Sequence, residues 1–390
     1  MKKKISILGS TGSIGLSSIK IFKIKKKLFE YNVLAADKNY RIICKQIDLL
    51  KPNTFIINDI KVFKKIKEKY KNKKVKIIQL NEIDNYTFKN SDITIAAIPG
   101  IAGLKPTIKL IKKSKKILIA NKESVICGWH LIKKAAIKNK TKIIPIDSEH
   151  FSIMKLLENQ KMKEIKKIYL TASGGPFLNF TSTQLKNVKP NQALKHPKWK
   201  MGRKISIDSA SLMNKLLEVI EAQKLFSIGA NKIKIIIHPE SLVHAVVELK
   251  NGLYKFIYHK TTMLIPLANA IFNDDVDITS ILKPKLNNKK IFFDSLNFKE
   301  VDKKKFPIIK LKSRINEYNS TPIIINAVNE ILVDQYLKKK IAFNSFYKLI
   351  SYVLKDRNYK KYAIKVPKNV NQVLLIDQWS RKTTYEKIKK

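Results

Sequence analysis

Two carboxylates stand two residues apart in the segment Ile146-Asp147-Ser148-Glu149-His150, directly after the apolar run Ile143-Ile144-Pro145-Ile146. The run predicts a buried strand ending near Asp147, and side chains i and i+2 of a strand point to one side. At the carboxyl end of a strand in an α/β protein, that side is where ligands bind. Like charges this close repel unless a proton or a cation lies between them. The segment therefore predicts a divalent-metal site. The same residues also suit an ordinary strand-to-helix junction, with Asp147 or Ser148 capping a helix that starts at His150.

A third carboxylate comes from a helix predicted over 209–225. Ser209 can cap it, and Asn214, Lys215 and Glu218 fall on adjacent turns of one side. Asp147, Glu149 and Glu218 together make an oxygen ligand set, which fits Mg²⁺ or Mn²⁺ better than zinc. Glu221, one turn further on, reads as structural. The six histidines form no HExxH or clustered His/Cys pattern, which argues against zinc. No GxSxG elbow is present for a serine hydrolase.

A second kind of chemistry is written at Gly9-Ser10-Thr11-Gly12-Ser13-Ile14-Gly15, between a first strand and an amphipathic helix. Small residues let the backbone approach a pyrophosphate, and the new helix aims its N–H groups and positive dipole end at it. Thr11 and Ser13 add hydroxyl donors. The spacing is GxxGxxG, so the context carries the dinucleotide reading more than the pattern does; a tight βα turn without a ligand is the alternative. At the end of the second strand, Asp37 suits the ribose hydroxyls of NAD, whereas Lys38 and Asn39 suit a 2′-phosphate. The residues alone leave that choice open.

Three further segments are dense in polar and small residues. Ala120-Asn121-Lys122-Glu123-Ser124 ends a strand at the ligand edge, where a lysine binds an anion, acts as an acid, or is simply solvated. Ser173-Gly174-Gly175-Pro176 offers a hydroxyl and backbone N–H groups to a phosphate, or is a plain turn. The stretch from His196 to Arg203 mixes Trp199 and Met201 with polar groups, which suits a lid over a ligand or a loop pinned by one buried Trp.

These segments need elements to position them. Apolar runs at 4–8, 33–36, 54–57, 93–97, 117–120 and 142–146 alternate with Lys-rich amphipathic stretches. That alternation predicts an N-terminal doubly wound, Rossmann-like parallel sheet over 1–150. Strand-like runs at 167–172, 233–237, 245–249 and 254–259 surround a long polar loop, 173–203, and predict a central α+β domain over 151–272. A polar stretch, 273–298, reads as a linker. The remainder, 299–390, reads as a small helical domain with helices over 321–336 and 342–354.

The formal net charge is +49, which raises nucleic-acid binding as a function class. Only five of the 79 basic residues are arginine, the residue favoured for bidentate base and phosphate contacts. The lysines are spread through every segment, as a general drift toward Lys, Ile and Asn would leave them. No specific nucleic-acid partner is expected. Cys44 and Cys127 cannot form a disulfide framework, which suits a reducing compartment. Met1-Lys2-Lys3-Lys4 looks like a signal n-region, but the apolar run after it stops at Leu8, too short for an h-region. No run approaches membrane-spanning length, so a cytoplasmic location and no membrane partner are expected.

Taken jointly, GSTGSIG at 9–15, ANKES at 120–124, PIDSEH at 145–150, SGGPF at 173–177, HPKWKMGRKISIDSA at 196–210, MNKLLEVIEA at 213–222, HPES at 238–241 and NAVNE at 326–330 resemble one family over nearly the whole chain. It is the 1-deoxy-D-xylulose 5-phosphate reductoisomerase family. The resemblance implies NADPH and Mg²⁺ or Mn²⁺, with Co²⁺ a further candidate, as cofactors, a small phosphorylated sugar as substrate, and a homodimer. It implies metal ligation by Asp147, Glu149 and Glu218, and proton transfers assisted by Lys122 and Glu149. Substrate contacts are implied for Lys122, Ser148, Glu149, Ser173, His196, Ser209, Asn214, Lys215 and Glu218. NADPH contacts are implied for Thr11, Gly12, Ser13, Ile14, Lys38, Asn39, Asn121, Glu123 and Gly202. Trp199 and Met201 fall in the covering loop, and His238 is a supporting residue.

The chain departs from the family pattern in places. Asp37 stands where Gly is usual, and Thr262-Met263-Leu264-Ile265-Pro266 replaces D-M-R-x-P. The second change predicts consequences for loop order or dimer contacts rather than for the metal motifs. Pro99 and Glu240 also replace common family residues.

Overall fold

The computed structural model describes residues 1–199, 201–282 and 295–389. They fall into two compact units. The first comprises Met1–Ser124, Gly128–Phe151 and the described part of 262–292; the second comprises Val125–Cys127, Ser152–Thr261 and the described part of 293–390.

Seven strands make the sheet of the first unit: β1 (Lys3–Leu8), β2 (Phe29–Ala36), β3 (Thr54–Ile57), β4 (Lys76–Gln79), β5 (Ser91–Ala96), β6 (Ser114–Ile119) and β7 (Lys142–Pro145). Their order is β4-β3-β2-β1-β5-β6-β7 and every pairing is parallel. Near-continuous apolar strands are what a sheet covered on both faces requires. Ile5, Ile7 and Leu8 of β1 and Phe55, Ile56 and Ile57 of β3 are buried accordingly. The strand order reverses between β1 and β5, and an open parallel sheet takes its ligand at the carboxyl ends beside such a switch point. β4 was not among the predicted strands. Its sequence, Lys-Ile-Ile-Gln, has two apolar residues and lies at the sheet's edge.

The helix Leu264–Phe272 belongs to the first unit, whereas the sequence placed 262–272 at the end of the central region. It buries Leu267, Ala268, Ala270 and Ile271, packs against the Ser13–Ile24 helix, and sets Phe272 edge-on to Phe29. Lys116 caps its C-terminus through Ala270 O, Ile271 O and Asn273 Oδ1. At its start Thr262 Oγ1 accepts from Leu264 N at 3.2 Å, so the altered segment satisfies one of the N–H groups left open at the helix start. The expected linker, 273–298, lies partly over 283–294, outside the described residues; its first part holds a single turn of 3₁₀ helix, Ile278–Ser280.

The sheet of the second unit contains β8 (Ile165–Ala172), β9 (Ile233–Ile237), β10 (Val243–Leu249), β11 (Tyr254–Tyr258) and β12 (Lys299–Glu300), in the order β11-β10-β8-β9-β12. Only the β8–β9 pairing is parallel. The helix predicted over 209–225 is two helices, Arg203–Ala210 and Met213–Phe226. They are separated at Leu212, whose φ of 60° is left-handed and cannot continue a helix. Ser209 therefore lies in the last turn of the first helix and does not cap the second. The stretch 173–203 also carries two one-turn helices, Ser182–Leu185 and Pro190–Ala193. The C-terminal segment is helical, with Thr321–Leu337, Phe346–Val353, Tyr359–Ala363 and Val370–Lys389. No helix among the described residues is long and apolar enough to cross a membrane.

A charged clasp holds β8 to β10. Glu248 accepts from Tyr169 Oη at 2.6 Å and pairs with Lys166 at 2.8 Å. Those partners hold the Glu248 carboxyl down at about 2, Lys166 contributing most. A carboxylate whose folded pKa is depressed stabilises fully above its unfolded value, and that stability is lost as pH falls through the folded value. Glu248→Gln is expected to lose about 1–3 kcal/mol at pH 7, the worth of hydrogen bonds to a charged group. Denaturant melts should show the gap to the parent closing between pH 4.5 and about 2; a gap independent of pH would contradict the clasp.

Candidate active site

In the first unit the loop after β1 is shaped by close backbone approach. Gly9 has φ of 86°, and a Cβ there would lie 2.5 Å from Ala97 O. The Ser10 hydroxyl donates to Gln46 Oε1 at 2.6 Å and Gln46 Nε2 returns a bond to Ser10 O at 2.9 Å, which fixes the loop from behind. Gln46 was not singled out from the sequence. Its signal is a buried amide on the otherwise apolar face of the Tyr40–Leu50 helix. Gly12 precedes the Ser13–Ile24 helix with no side-chain cap, and Gly12 and Ser13 are exposed. An uncapped, exposed helix start of this kind fits a pyrophosphate.

The other predicted cofactor residues of this unit divide by what their side chains do. Lys38 is exposed at the end of β2. Asn39 caps the Tyr40–Leu50 helix, its Oδ1 accepting from Ile42 N at 3.2 Å. Asn121 is buried and its amide bonds are internal: Nδ2 donates to Ile98 O and Gly100 O, and Oδ1 accepts from Ser124 N at 2.7 Å. That side chain ties the 98–100 turn to the start of the Lys122–Lys138 helix. Glu123 is buried in the first turn of the same helix.

The paired carboxylates sit at a strand-to-helix step. β7 ends at Pro145 and the following helix already runs from Ser148, so Glu149 is in its first turn and not on an extended chain. Asp147 precedes it, its carbonyl accepting from Phe151 N at 2.8 Å. The helix therefore starts two residues before His150, where it was expected, and the two carboxylates lie just before and within its first turn and do not share one side of a strand. Asp147 Oδ2 lies 3.3 Å from Lys122 Nζ and 3.2 Å from His150 Nδ1, while the Ser148 hydroxyl donates to Glu149 Oε2 at 2.6 Å. Lys122, Ser148 and His150 are buried. His150, three residues on from Asp147, orients a carboxylate, a role the sequence reading did not assign. Oxygen donors held this way suit a hard divalent cation.

The second unit gathers the remaining predicted residues. Gly174 and Gly175 adopt φ of 82° and 65°, and a Cβ on Gly175 would lie 3.0 Å from Ser209 O and Ala210 Cα. Glycine thereby lets the Ser173 turn seat directly on the Ser209 helix end. His196 Nδ1 accepts from Lys198 N at 3.2 Å and Trp199 N at 2.9 Å, which leaves Nε2 as the protonated nitrogen. It donates to Ser173 Oγ at 3.0 Å, and Gly175 N donates to the same oxygen at 3.1 Å. A hydroxyl that accepts twice directs its own proton outward, to an anion. Burial pushes the His196 imidazole down to about 4, and the Lys215 ammonium adds to the effect. His196 is thus a neutral donor at pH 7.

One turn of the Met213–Phe226 helix carries the second charged group. Lys215 Nζ pairs with Glu218 Oε2 at 2.6 Å and Asn214 Nδ2 donates to Glu218 Oε1. Glu218 is 1% exposed. Trp199 stands edge-on to His244, which is stacked on His259 at 4.0 Å. Gly202 begins the Arg203–Ala210 helix with nothing within 4 Å of a Cβ. His238 is fully buried: Nε2 accepts from Leu242 N and Val243 N, and Nδ1 faces Asn297 O and Glu240. Glu240 also takes the Asn297 amide at 2.8 Å. The unusual residue at 240 thus belongs to the frame around His238.

Three models of 1-deoxy-D-xylulose 5-phosphate reductoisomerase domains match the chain: the reductoisomerase model over residues 5–128 and two C-terminal-domain models over 143–226 and 260–383. The 1-deoxy-D-xylulose 5-phosphate reductoisomerase of Pelagibacter ubique is 43% identical over 380 residues, covering 95% of this chain and 96% of its own. That of Wolbachia pipientis from Culex pipiens is 40% identical over 93% and 92%. Among solved structures, a DOX-P reductoisomerase in complex with NADPH, fosmidomycin and magnesium superposes with TM-score 0.89 at 30% identity, covering 99% of this chain and 98% of that one. The Zymomonas mobilis enzyme in complex with NADPH gives 0.85 at 29%, covering 100% and 99%. The chain belongs to the 1-deoxy-D-xylulose 5-phosphate reductoisomerase family.

Proposed function

We propose that this protein is an oxidoreductase that converts 1-deoxy-D-xylulose 5-phosphate to 2-C-methyl-D-erythritol 4-phosphate with NADPH and a divalent cation. The observation that carries the reading is 43% identity across 95% of the chain to a relative of that name. Asp147, Glu149 and Glu218 would hold the cation, Mg²⁺ or Mn²⁺. The 9–15 loop with Thr11, Gly12, Ser13 and Ile14, and Lys38, Asn39, Asn121, Glu123 and Gly202, would bind NADPH. Bound NADPH supplies a hydride, and the bound cation supplies Lewis acidity toward the substrate's carbonyl and hydroxyl oxygens.

The chain's own groups bind, orient and move protons. Ser173 presents its outward proton to the substrate phosphate, because His196 and Gly175 already donate to its oxygen. The Ser209 hydroxyl, the Asn214 amide and the Lys215 ammonium complete the grip on phosphate and hydroxyls. The Glu149 carboxylate, oriented by Ser148 on Oε2, takes the proton of a substrate hydroxyl as a carbon–carbon bond opens. Lys122 Nζ, buried beside Asp147, orients the substrate and donates a hydrogen bond to the oxygen that gains charge as that bond opens. A retro-aldol and an aldol step would rebuild the skeleton as a branched aldehyde, and bound NADPH would supply the hydride for its reduction. Trp199 and Met201 close over the ligand and exclude water.

Phosphorus NMR of the protein with 1-deoxy-D-xylulose 5-phosphate, NADPH and Mg²⁺ is expected to show one new phosphomonoester matching authentic product. Unchanged substrate, with a folded protein that binds NADPH, would overturn the reading.

The cofactor preference has its own test. Asp37 Oδ1 accepts from Asn58 Nδ2 at 2.8 Å, on the exposed end of β2 beside Lys38. Asp37→Gly is expected to tighten NADPH binding about two- to fivefold, the size of one exposed charge interaction. Unchanged affinity in a fluorescence titration means that Asn58 already holds the charge aside. A homodimer and a cytoplasmic location belong to the same proposal. β11 is an edge strand with Tyr254 58% and Phe256 46% exposed, a surface suited to a second copy. Phe256→Lys is expected to shift sedimentation toward monomer; an unchanged dimer would place the interface elsewhere. Cys44 and Cys127 are buried and form no disulfide, as suits a reducing compartment.

A further inference from the structure

The motif Asn326-Ala327-Val328-Asn329-Glu330 lies in the C-terminal Thr321–Leu337 helix and has no part in the chemistry above. We propose that Asn329 positions the substrate-binding Ser209 through a buried hydrogen bond to Asp208, so that the C-terminal helices set affinity for the substrate's phosphate end. This rests on the proposed role of Ser209.

Asn329 is fully buried, and its Nδ2 donates to Asp208 Oδ1 at 2.8 Å across 121 residues of sequence. Asp208 is 1% exposed, and its other oxygen takes Lys204 Nζ at 2.9 Å. A carboxylate buried this deeply is retained only when its oxygens are satisfied, and an apolar residue of similar volume packs equally well. What a polar pair adds is register: it holds only when the two helices meet in one alignment. Register matters at this point of the chain. Ser209 is the next residue, and its carbonyl accepts from Leu212 N at 3.1 Å where the helix stops.

On the other side the Gly175 backbone lies against Ser209 O and Ala210 Cα, where a Cβ would come within 3.0 Å. Ser173 and Ser209 therefore move together, and a slip of the Arg203–Ala210 helix displaces both hydroxyls. The partner helix is itself anchored. Glu330, next to Asn329, pairs with Arg381 of the Val370–Lys389 helix, and Arg381 Nε donates to Asp377 at 2.6 Å. Asn326 Nδ2 reaches Glu330 Oε1 at 3.3 Å. The amide oxygens of Asn326 and Asn329 are both buried without a hydrogen-bond partner. Each of these amides is held by its donor end, Asn326 Nδ2 to Glu330 and Asn329 Nδ2 to Asp208. The path from the last helix to Ser209 thus runs through side-chain contacts at Arg381–Glu330 and Asn329–Asp208, joined by the backbones of the Thr321–Leu337 and Arg203–Ala210 helices. Asn329 and Asp208 are positioning residues, since neither is placed on substrate.

Steady-state kinetics on the full-length protein tests this with four variants. Asn329→Ala and Asp208→Asn are expected to raise KM for 1-deoxy-D-xylulose 5-phosphate about tenfold, with kcat within threefold and NADPH affinity unchanged. The exchange Asp208→Asn with Asn329→Asp keeps an amide-to-carboxylate bond in reversed sense and leaves an oxygen for Lys204. It is expected to return KM to within threefold of the parent. Asp208→Asn and the exchange carry the test if Asn329→Ala does not fold. Ser209→Ala serves as the reference. If Ser209→Ala raises KM while Asp208→Asn does not, the positioning role is overturned and the proposed site stands. If kcat and NADPH affinity fall along with KM, or the exchange restores nothing, the pair is merely structural and the inference also fails. If Ser209→Ala leaves KM unchanged, the proposed role of Ser209 fails, and the inference with it.

Discussion

Glu218→Gln is expected to cut turnover by on the order of a thousandfold, roughly 4 kcal/mol in the barrier, while NADPH affinity stays within about twofold of the parent. The substitution keeps the shape of the side chain and removes its charge. An amide offers one neutral oxygen, which a hard divalent cation binds far more weakly than a carboxylate. Glu218 is also the acceptor of both Asn214 and Lys215, so the change removes an ordered ligand together with the charge partner of a buried ammonium. The candidate NADPH loop belongs to the first unit and Glu218 to the second. The cofactor measurement therefore separates loss of chemistry from loss of fold. Full activity in the variant would remove Glu218 from the proposed metal set.

Lys215→Met is expected to be the costliest single change to stability at the site, about 3–5 kcal/mol in metal-free buffer. That is the scale of removing one member of a buried ion pair. Lys215 is 7% exposed and Glu218 1% exposed, and they meet at 2.6 Å, so solvent offers little compensation. The same substitution is expected to raise KM for the phosphorylated substrate about a hundredfold, a loss of roughly 2.7 kcal/mol, because a buried ammonium is removed from the proposed phosphate grip. A second readout follows from linkage: a cation that binds the folded state stabilises it. Millimolar Mn²⁺ should therefore raise the Tm of Lys215→Met more than that of the parent, by supplying the charge that Glu218 has lost. Equal Tm shifts in the two proteins would mean that Glu218 faces no cation.

The parallel sheet was legible because buried strands must be apolar almost throughout, and six of seven such runs stand out from a lysine-rich background. β4 escaped because an edge strand needs only one covered face, and Lys-Ile-Ile-Gln carries no more signal than a loop. The break at Leu212 was hidden for a different reason. Leu212 is apolar and fits the helical stripe, and nothing in its side chain announces a left-handed backbone. The placement of 262–272 with the first unit turns on Phe272 meeting Phe29 and Lys116 meeting the helix end, contacts between segments more than 150 residues apart.

At the site, Asp147, Glu149 and Glu218 were readable as carboxylates at meaningful spacing. The residues that hold Asp147, the loop after β1 and the Ser209 helix were not. His150, Gln46 and Asp208 act by hydrogen bonds that exist only after folding, and a polar residue on an apolar face was the sole hint of them. Asn121 and Asn39 show the converse. Residues that resemblance assigns to the cofactor hold helix starts with their side chains, so any contact they make with NADPH falls to the remaining amide or backbone groups.

The most direct test of the central claim is the rate of NADPH oxidation with 1-deoxy-D-xylulose 5-phosphate, with Mn²⁺, after chelation, and with NADH in parallel. Turnover is expected with Mn²⁺, to be lost on chelation and to return when the metal is restored, with NADH markedly slower. Turnover undiminished by chelation would contradict that claim, because Asp147, Glu149 and Glu218 would then have no cation to hold.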